Sequence, residues 1–223
     1  MKKSTFIYAA ALSVMAILPS AAMAAGPEIK AGLGSVKAAN DKAGFDAGIA
    51  YSYNVERFFA FVPEVNFNWI NFDQCVKDNA GNCRTAVVGG QTGTLTTSRN
   101  HYTIPILLNV RFIVPMGSEE TPAVQPYVTL GAGYAWSFFK EETPAYTDVN
   151  GSQPATTVNS SASGFMYQGM LGLSFNLGML TEGSASATSL ILEAGYRGGQ
   201  VETSGFKFDM SGYVVRAGAS FNF

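Results

Sequence analysis

The sequence predicts an all-β fold, an eight-stranded antiparallel up-and-down transmembrane β-barrel. Three observations predict it. Apolar and polar residues alternate with period two in segment after segment, the pattern of strands with one oily and one wet face. Charged residues make up only 13% of the chain, against 24 glycines and 13% aromatics, which is too little charge to cover an ordinary water-facing surface. Beyond the first two dozen residues, no apolar run approaches the roughly 20 residues that a membrane helix needs. A chain of this kind crosses a bilayer only as strands closed into a cylinder, where every backbone polar group is paired.

The same parity test defines each strand. Residues 28–36 place Ile29, Ala31 and Leu33 outward and Lys30, Gly32 and Gly34 inward. Residues 44–53 place Phe45, Ala47, Ile49, Tyr51 and Tyr53 outward, with Asp46, Gly48 and Ser52 inward. Residues 58–72 set Phe59, Phe61, Pro63, Val65, Phe67 and Trp69 against Glu64, Asn66 and Asn68. Residues 101–114 set Tyr102, Ile104, Ile106, Leu108, Val110 and Phe112 against Thr103, Asn109 and Arg111. In residues 126–139 the outward set is Val128, Leu130, Ala132, Tyr134, Trp136 and Phe138. In residues 164–177 it is Phe165, Tyr167, Leu171, Leu173, Phe175 and Leu177, opposite Gln168, Gly172, Ser174 and Asn176. Residues 189–197 turn Leu190, Leu192, Ala194 and Tyr196 outward and Glu193, Gly195 and Arg197 inward. The last run shows Tyr213, Val215, Ala217, Ala219, Phe221 and Phe223 on one face and Val214, Arg216, Gly218, Ser220 and Asn222 on the other. Each is long enough for a tilted strand to cross the hydrocarbon, roughly 9–11 residues. Pro63 and Pro105 fall inside strands, where each removes a ladder donor, so bulges or irregular pairing are expected there.

An even strand count puts both ends of the barrel chain on one side, expected to be the periplasm. Turns 54–57, 115–125 and 178–188 then lie on that side. Loops 37–43, 73–100, 140–163 and 198–204 lie on the other. The second and third of these are long and rich in Thr, Ser, Gly and Asn, so they are expected to be exposed and mobile. Aromatics such as Tyr51, Tyr53, Trp69, Tyr102, Phe112 and Trp136 gather near strand ends, as interfacial girdles do.

The first 24 residues read as a cleaved signal peptide. Lys2 and Lys3 form a basic start, residues 6–18 are apolar but short, and Ala22-Met23-Ala24 is a small-x-small cleavage pattern. No Cys follows the cut, which argues against a lipid anchor. Residues 25–223 then form one barrel domain. Without Lys2 and Lys3 the basic count falls from 14 to 12 against 16 acidic residues, a formal charge of −4 that argues against a nucleic-acid partner.

Several short motifs carry a resemblance. Residues 126–134 read P-Y-V-T-L-G-A-G-Y, residues 104–108 read I-P-I-L-L, residues 193–197 read E-A-G-Y-R, and the chain closes on Phe221-Asn222-Phe223. Together these resemble the small outer-membrane β-barrel domain family, the OmpA/OmpX-like and porin-family barrels. The resemblance implies a place in the bacterial outer membrane, among lipid and lipopolysaccharide. It also implies that the last strand, with Tyr213, Phe221 and Phe223, is the signal read by the barrel assembly machinery. It leaves function open between a structural or adhesin-like surface role, a narrow channel for small solutes or small hydrophobic molecules, and a lipid-modifying enzyme.

Seven charges fall on the inward parity: Lys30, Asp46, Glu64, Arg111, Glu193, Arg197 and Arg216. An eight-stranded interior is just wide enough for side chains to fill, and unpaired charges there are costly. Pairs on neighbouring strands are therefore expected, Glu64 with Arg111 and Glu193 with Arg216, forming either a polar plug or a gate. The inward glycines, 48 and 172 among them, are where a gate would find room. Cys75 and Cys83, the two cysteines, flank a turn-forming stretch in the second long loop, and an oxidising compartment predicts a disulfide between them. His101, the sole histidine, is placed at the outer rim as a polar interface residue rather than a catalytic base. No metal-ligand or calcium-loop pattern is complete, so no cofactor, metal or catalytic residue is expected. The expected role is display of the long outer loops to host or cell-surface ligands.

Overall fold

The computed structural model describes residues 23–78, 80–116, 122–148, 151–180, 188–203 and 206–221. Thirteen strands follow in chain order: β1 Met23–Val36, β2 Lys42–Glu56, β3 Phe59–Cys75, β4 Thr85–Val88, β5 Gln91–Thr94, β6 Thr96–Ile113, β7 Val124–Thr143, β8 Tyr146–Asp148, β9 Gly151–Gln153, β10 Thr156–Asn176, β11 Thr188–Thr203, β12 Phe206–Asp209 and β13 Gly212–Phe221. A 3-10 turn, Lys37–Ala39, joins β1 to β2, and a single helical turn, Leu177–Leu180, follows β10. Eight long strands pair antiparallel in the order β10, β7, β6, β3, β2, β1, β13, β11, and a β10–β11 ladder closes the ring. The fold is therefore an all-β, antiparallel, up-and-down eight-stranded barrel.

Alternation decides which way each side chain points. Along β3, residues Ala60, Val62, Glu64, Asn66, Asn68, Ile70 and Phe72 are buried, while Phe67 and Trp69 between them are exposed. The outer surface carries Leu171 at 67% exposure and Tyr213 at 72%, with Ile29, Leu33, Ile49 and Val215 alike open. A continuous oily surface of this kind is untenable in water and suited to hydrocarbon. Closure of the sheet also removes the unpaired edges that an open sheet would present.

The strands run past the membrane. β7 has 20 residues and β10 has 21, about twice what a tilted strand needs to cross the hydrocarbon. They stay in register from Thr156↔Thr143 to Phe175↔Val124. Much of residues 73–100 and 140–163, expected as loop, is hairpin instead. At the loop end β5, β4, β8 and β9 form a second, four-stranded sheet. It joins the two long connections through the pair Val87↔Thr147 and an Arg84–Asp148 ion pair at 2.6 Å. The fourth connection is also a hairpin, with β11 and β12 paired from Gln200↔Asp209 to Thr203↔Phe206.

The strand prolines interrupt pairing without shifting it. On either side of a gap, the β2–β3 ladder keeps one register, from Ala50↔Glu64 to Tyr53↔Phe61, and Pro63 pairs only toward β6. The β3–β6 ladder likewise skips Pro105, which pairs with Ala135 on β7. The one irregular step in the β2–β3 ladder lies at Asn54/Glu56, beside the turn. β10 stops at Asn176, and Leu177 begins the helical turn instead of extending the outward row.

Candidate functional site

The lumen is filled by side chains in two layers. At the loop end, Val36, Ile70, Phe72, Leu107, Met166, Val201 and Met210 form an apolar layer, packed under Phe139 and Phe208. Toward the end where β1 begins, the interior is polar and charged. There the inward rows of all eight strands meet, because residues two apart on each strand point to the same side of the sheet.

The structure places Lys30, Asp46, Glu64, Arg111, Glu193, Arg197 and Arg216 all in this interior, each no more than 7% exposed. It adds an eighth charge that the sequence reading missed, Glu28, which is also buried. Four cations now face four anions, so the cluster is formally neutral. Glu28 takes the role the sequence reading gave to Glu64. Arg111 grips Glu28 in a two-pronged contact, Nη1 to Oε1 at 2.5 Å and Nη2 to Oε2 at 2.8 Å. The expected Glu64–Arg111 pair is thus corrected. Glu64 instead accepts from Arg216 Nη1 at 2.5 Å and from Asn109 Nδ2 at 3.0 Å.

The other expected pair, Glu193 with Arg216, is present at 2.8 Å, between residues directly opposite on β11 and β13. Lys30 sits among three carboxylates, 3.0 Å from Glu28, 3.2 Å from Glu193 and 3.7 Å from Glu64. Toward the loop end, Arg197 donates to Asp46 at 2.7 Å and to Gln168 at 3.3 Å. Tyr127 donates its hydroxyl to Glu193 at 3.0 Å and lies under the Arg111 guanidinium, 4.3 Å from ring centre to carbon. Multiple partners for each charge offset the heavy desolvation cost of burying it.

The inward glycines are occupied rather than vacant. A Cβ at Gly172 would collide with the Tyr127 ring, and one at Gly48 with the Asn66 side chain. These residues give up their own side chains so that long neighbours can cross the lumen. Near the apolar layer, Ser35, Asn68, Thr103, Met166 and Arg197 bound a space of about 10 Å³. That is at the lower limit for holding a single water.

His101 is not on the rim. It is 2% exposed within the lumen, its ring stacked on Phe139 at 4.4 Å, with Nε2 3.0 Å from the Thr103 hydroxyl. Thr103 in turn contacts Ser137 at 3.1 Å. Inward parity on β6 was readable, but the strand's extension beyond the membrane was not. Cys75 and Cys83 are joined as a disulfide with Cα atoms 5.4 Å apart. Inside that loop Asp78 accepts backbone N–H bonds from Ala80 and Asn82, both at 2.9 Å. Tyr213 projects outward on β13, stacked edge-on with Tyr196 at 5.5 Å, and Phe221 ends the same strand. Phe223 and most of the expected signal peptide lie outside the described residues. β1 begins at Met23, two residues before the domain start expected at residue 25.

At the loop end the 3-10 turn is clasped to β12. Lys37 Nζ lies 3.8 Å from Asp209, and the Ser211 N–H donates to Asp209 at 2.9 Å. The Ser211 hydrogen bond, more than Lys37, holds the Asp209 carboxyl below the usual carboxylate range. Among the described residues no three His, Cys, Asp or Glu form a group that could hold a metal ion. No helix among them is long and apolar enough to cross a membrane.

The sequence matches the model of the outer membrane protein beta-barrel domain over residues 7–223. No curated protein matches it. Among solved structures it is similar to Neisserial surface protein A, at 15% identity and a TM-score of 0.47, covering 89% of this chain and 97% of that one. It is also similar to Ail, the attachment invasion locus protein of Yersinia pestis, at 14% identity and 0.43, covering 90% and 98%. A major outer membrane protein from Thermus thermophilus aligns at 16% identity and 0.47, covering 90% and 100%.

Proposed function

The chain belongs to the outer membrane protein beta-barrel domain family, and from that premise we propose that it is a non-catalytic, sealed barrel whose work is done by the sheet it holds above the membrane. The observation that carries this reading is the contrast between its two ends. The lumen is filled by a neutral buried charge cluster and an apolar layer. The long connections, by contrast, are ordered, one by a disulfide within residues 73–100 and both by an ion pair and a β-bridge that join them. Ordering exposed segments in advance lowers the entropy cost of binding a partner. The partner class is a surface ligand on a host or neighbouring cell.

Residues 1–24 are a leader removed on export, and both ends of the mature chain face the periplasm. The outward rows sit in lipid and lipopolysaccharide. The assembly machinery reads the last strand through Tyr213, Phe221 and Phe223.

The test replaces residues 76–95 and 144–155 by short turns and compares adherence of bacteria displaying either form to cultured cells. Loss of adherence with retained barrel folding supports display. Equal adherence refutes it. Planar-bilayer recordings address the channel alternative, and stepwise currents from the wild-type protein would favour it over display.

A further inference from the structure

At the loop end, above the apolar layer, lies a cup of about 140 Å³. Phe72, His101, Phe139 and Phe208 line it, with Arg99 and Glu141 among the residues around its mouth. Three of these rings form one column. His101 and Phe139 are within 7° of parallel at 4.4 Å, and Phe208 follows Phe139 at 4.7 Å and 32°. Phe139 and Phe208 are only partly buried, so aromatic surface remains open at the cup.

We infer that this cup is a binding site for a small neutral monocyclic aromatic molecule carrying one polar group, the phenol class of solute. Size sets the first match, because a cavity of about 150 Å³ is enough to hold a benzene ring. Shape sets the second, since flat walls favour a flat ring in offset or edge contact. Charge sets the third. Arg99 is already held by Glu141 at 3.1 Å and by Gln74, and Lys140 by Glu142 at 2.6 Å. Each mouth cation thus has a carboxylate partner, while the Arg99 Nε keeps no hydrogen-bond partner, so the mouth offers a donor to a hydroxyl oxygen but no uncompensated charge for a carboxylate or an amine. Beneath the cup the lumen narrows to the 10 Å³ space beside Thr103 and Arg197, so the site is a dead end and not the entrance of a conduit. This site is independent of the loop-display role, as it lies inside the barrel wall and not on the second sheet.

The test uses the full-length mature protein in detergent micelles with 4-fluorophenol as probe, followed by fluorine NMR and competed with unlabelled phenol. Ser160 lies exposed at the cup opposite Phe139 in the β7–β10 ladder, and Ser160→Trp fills the space from outside the packed lumen. Saturable binding in the wild type, loss of the saturable component in Ser160→Trp and its retention in the lipid-face variant Leu171→Ala are expected. If Ser160→Trp does not fold, Ala38→Trp enters the same cup from the 3-10 turn and gives the same comparison. Uptake that does not saturate, or saturable binding that survives the filled cup, overturns the assignment.

Discussion

Glu28→Gln removes one charge from the interior and leaves its volume almost unchanged. Four buried cations then face three anions. Arg111 loses its two-pronged partner at 2.5 and 2.8 Å, and Lys30 loses a contact at 3.0 Å. What remains for Arg111 is Glu193 at 3.6 Å, and for Lys30 it is Glu193 at 3.2 Å and Glu64 at 3.7 Å. Breaking a buried pair from one side costs about 3–5 kcal/mol, and the surviving contacts place this case near the lower bound. Arg111→Met alone leaves three cations against four anions and costs a similar amount. The double variant restores three against three with no orphaned partner, so it should recover most of the loss, with a coupling energy of at least about 2 kcal/mol. Urea unfolding of the barrel in lipid vesicles, followed by the fluorescence of Trp69 and Trp136, measures all four corners of the cycle. A single-variant effect below about 1 kcal/mol, or a double variant equal to the sum of the singles, would refute the cluster as a mutually dependent unit.

Three further outcomes follow from the geometry. Replacing Cys75 and Cys83 by Ser removes about 2–3 kcal/mol of chain-entropy stabilisation from the hairpin; trypsin should then cut faster at Lys77 while the urea midpoint of the barrel stays put. Gly172→Ala should destabilise the barrel by about 1–3 kcal/mol through collision with Tyr127, whereas Gly93→Ala, with open space around it, should leave the same midpoint unchanged. Because the folded-state pKa of Asp209 is lowered, its small contribution is present above the ordinary carboxylate range and fades as pH falls through the folded value; the protection of the Ser211 N–H against hydrogen exchange, taken relative to the intrinsic rate at each pH, should fall on acidification, and Asp209→Asn should abolish that dependence.

The inside and outside of this barrel were readable from parity alone, because lipid and a packed lumen impose opposite demands on alternate residues. The Glu193–Arg216 pair was equally legible, since the two oppose each other directly across β11 and β13. The Glu64–Arg111 expectation failed on register. Arg111 lies opposite Ala60, four residues along β3 from Glu64, and its long side chain crosses the lumen to Glu28 on β1. Nothing local in a sequence encodes that reach. Glu28 itself obeys the inward parity of β1, but beside Pro27 it reads as a strand boundary and not as part of the interior. The apolar layer was missed for another reason. Ile70, Phe72 and Leu107 are on the inward rows, yet an interior expected to be polar gave them no place. The second sheet depends on strands outrunning the membrane, which a Thr- and Gly-rich composition conceals.

The central claim is a sealed cylinder with oil outside and dry, paired side chains within. A nitroxide scan along residues 212–221 of β13 in lipid vesicles tests it most directly. Tyr213, Val215, Ala217 and Ala219 should be reached by dissolved oxygen from the bilayer, while Val214, Arg216 and Gly218 should be reached by neither oxygen nor a water-soluble relaxant. Loss of the two-residue alternation, or entry of the water-soluble relaxant at positions 214, 216 and 218, would contradict the account.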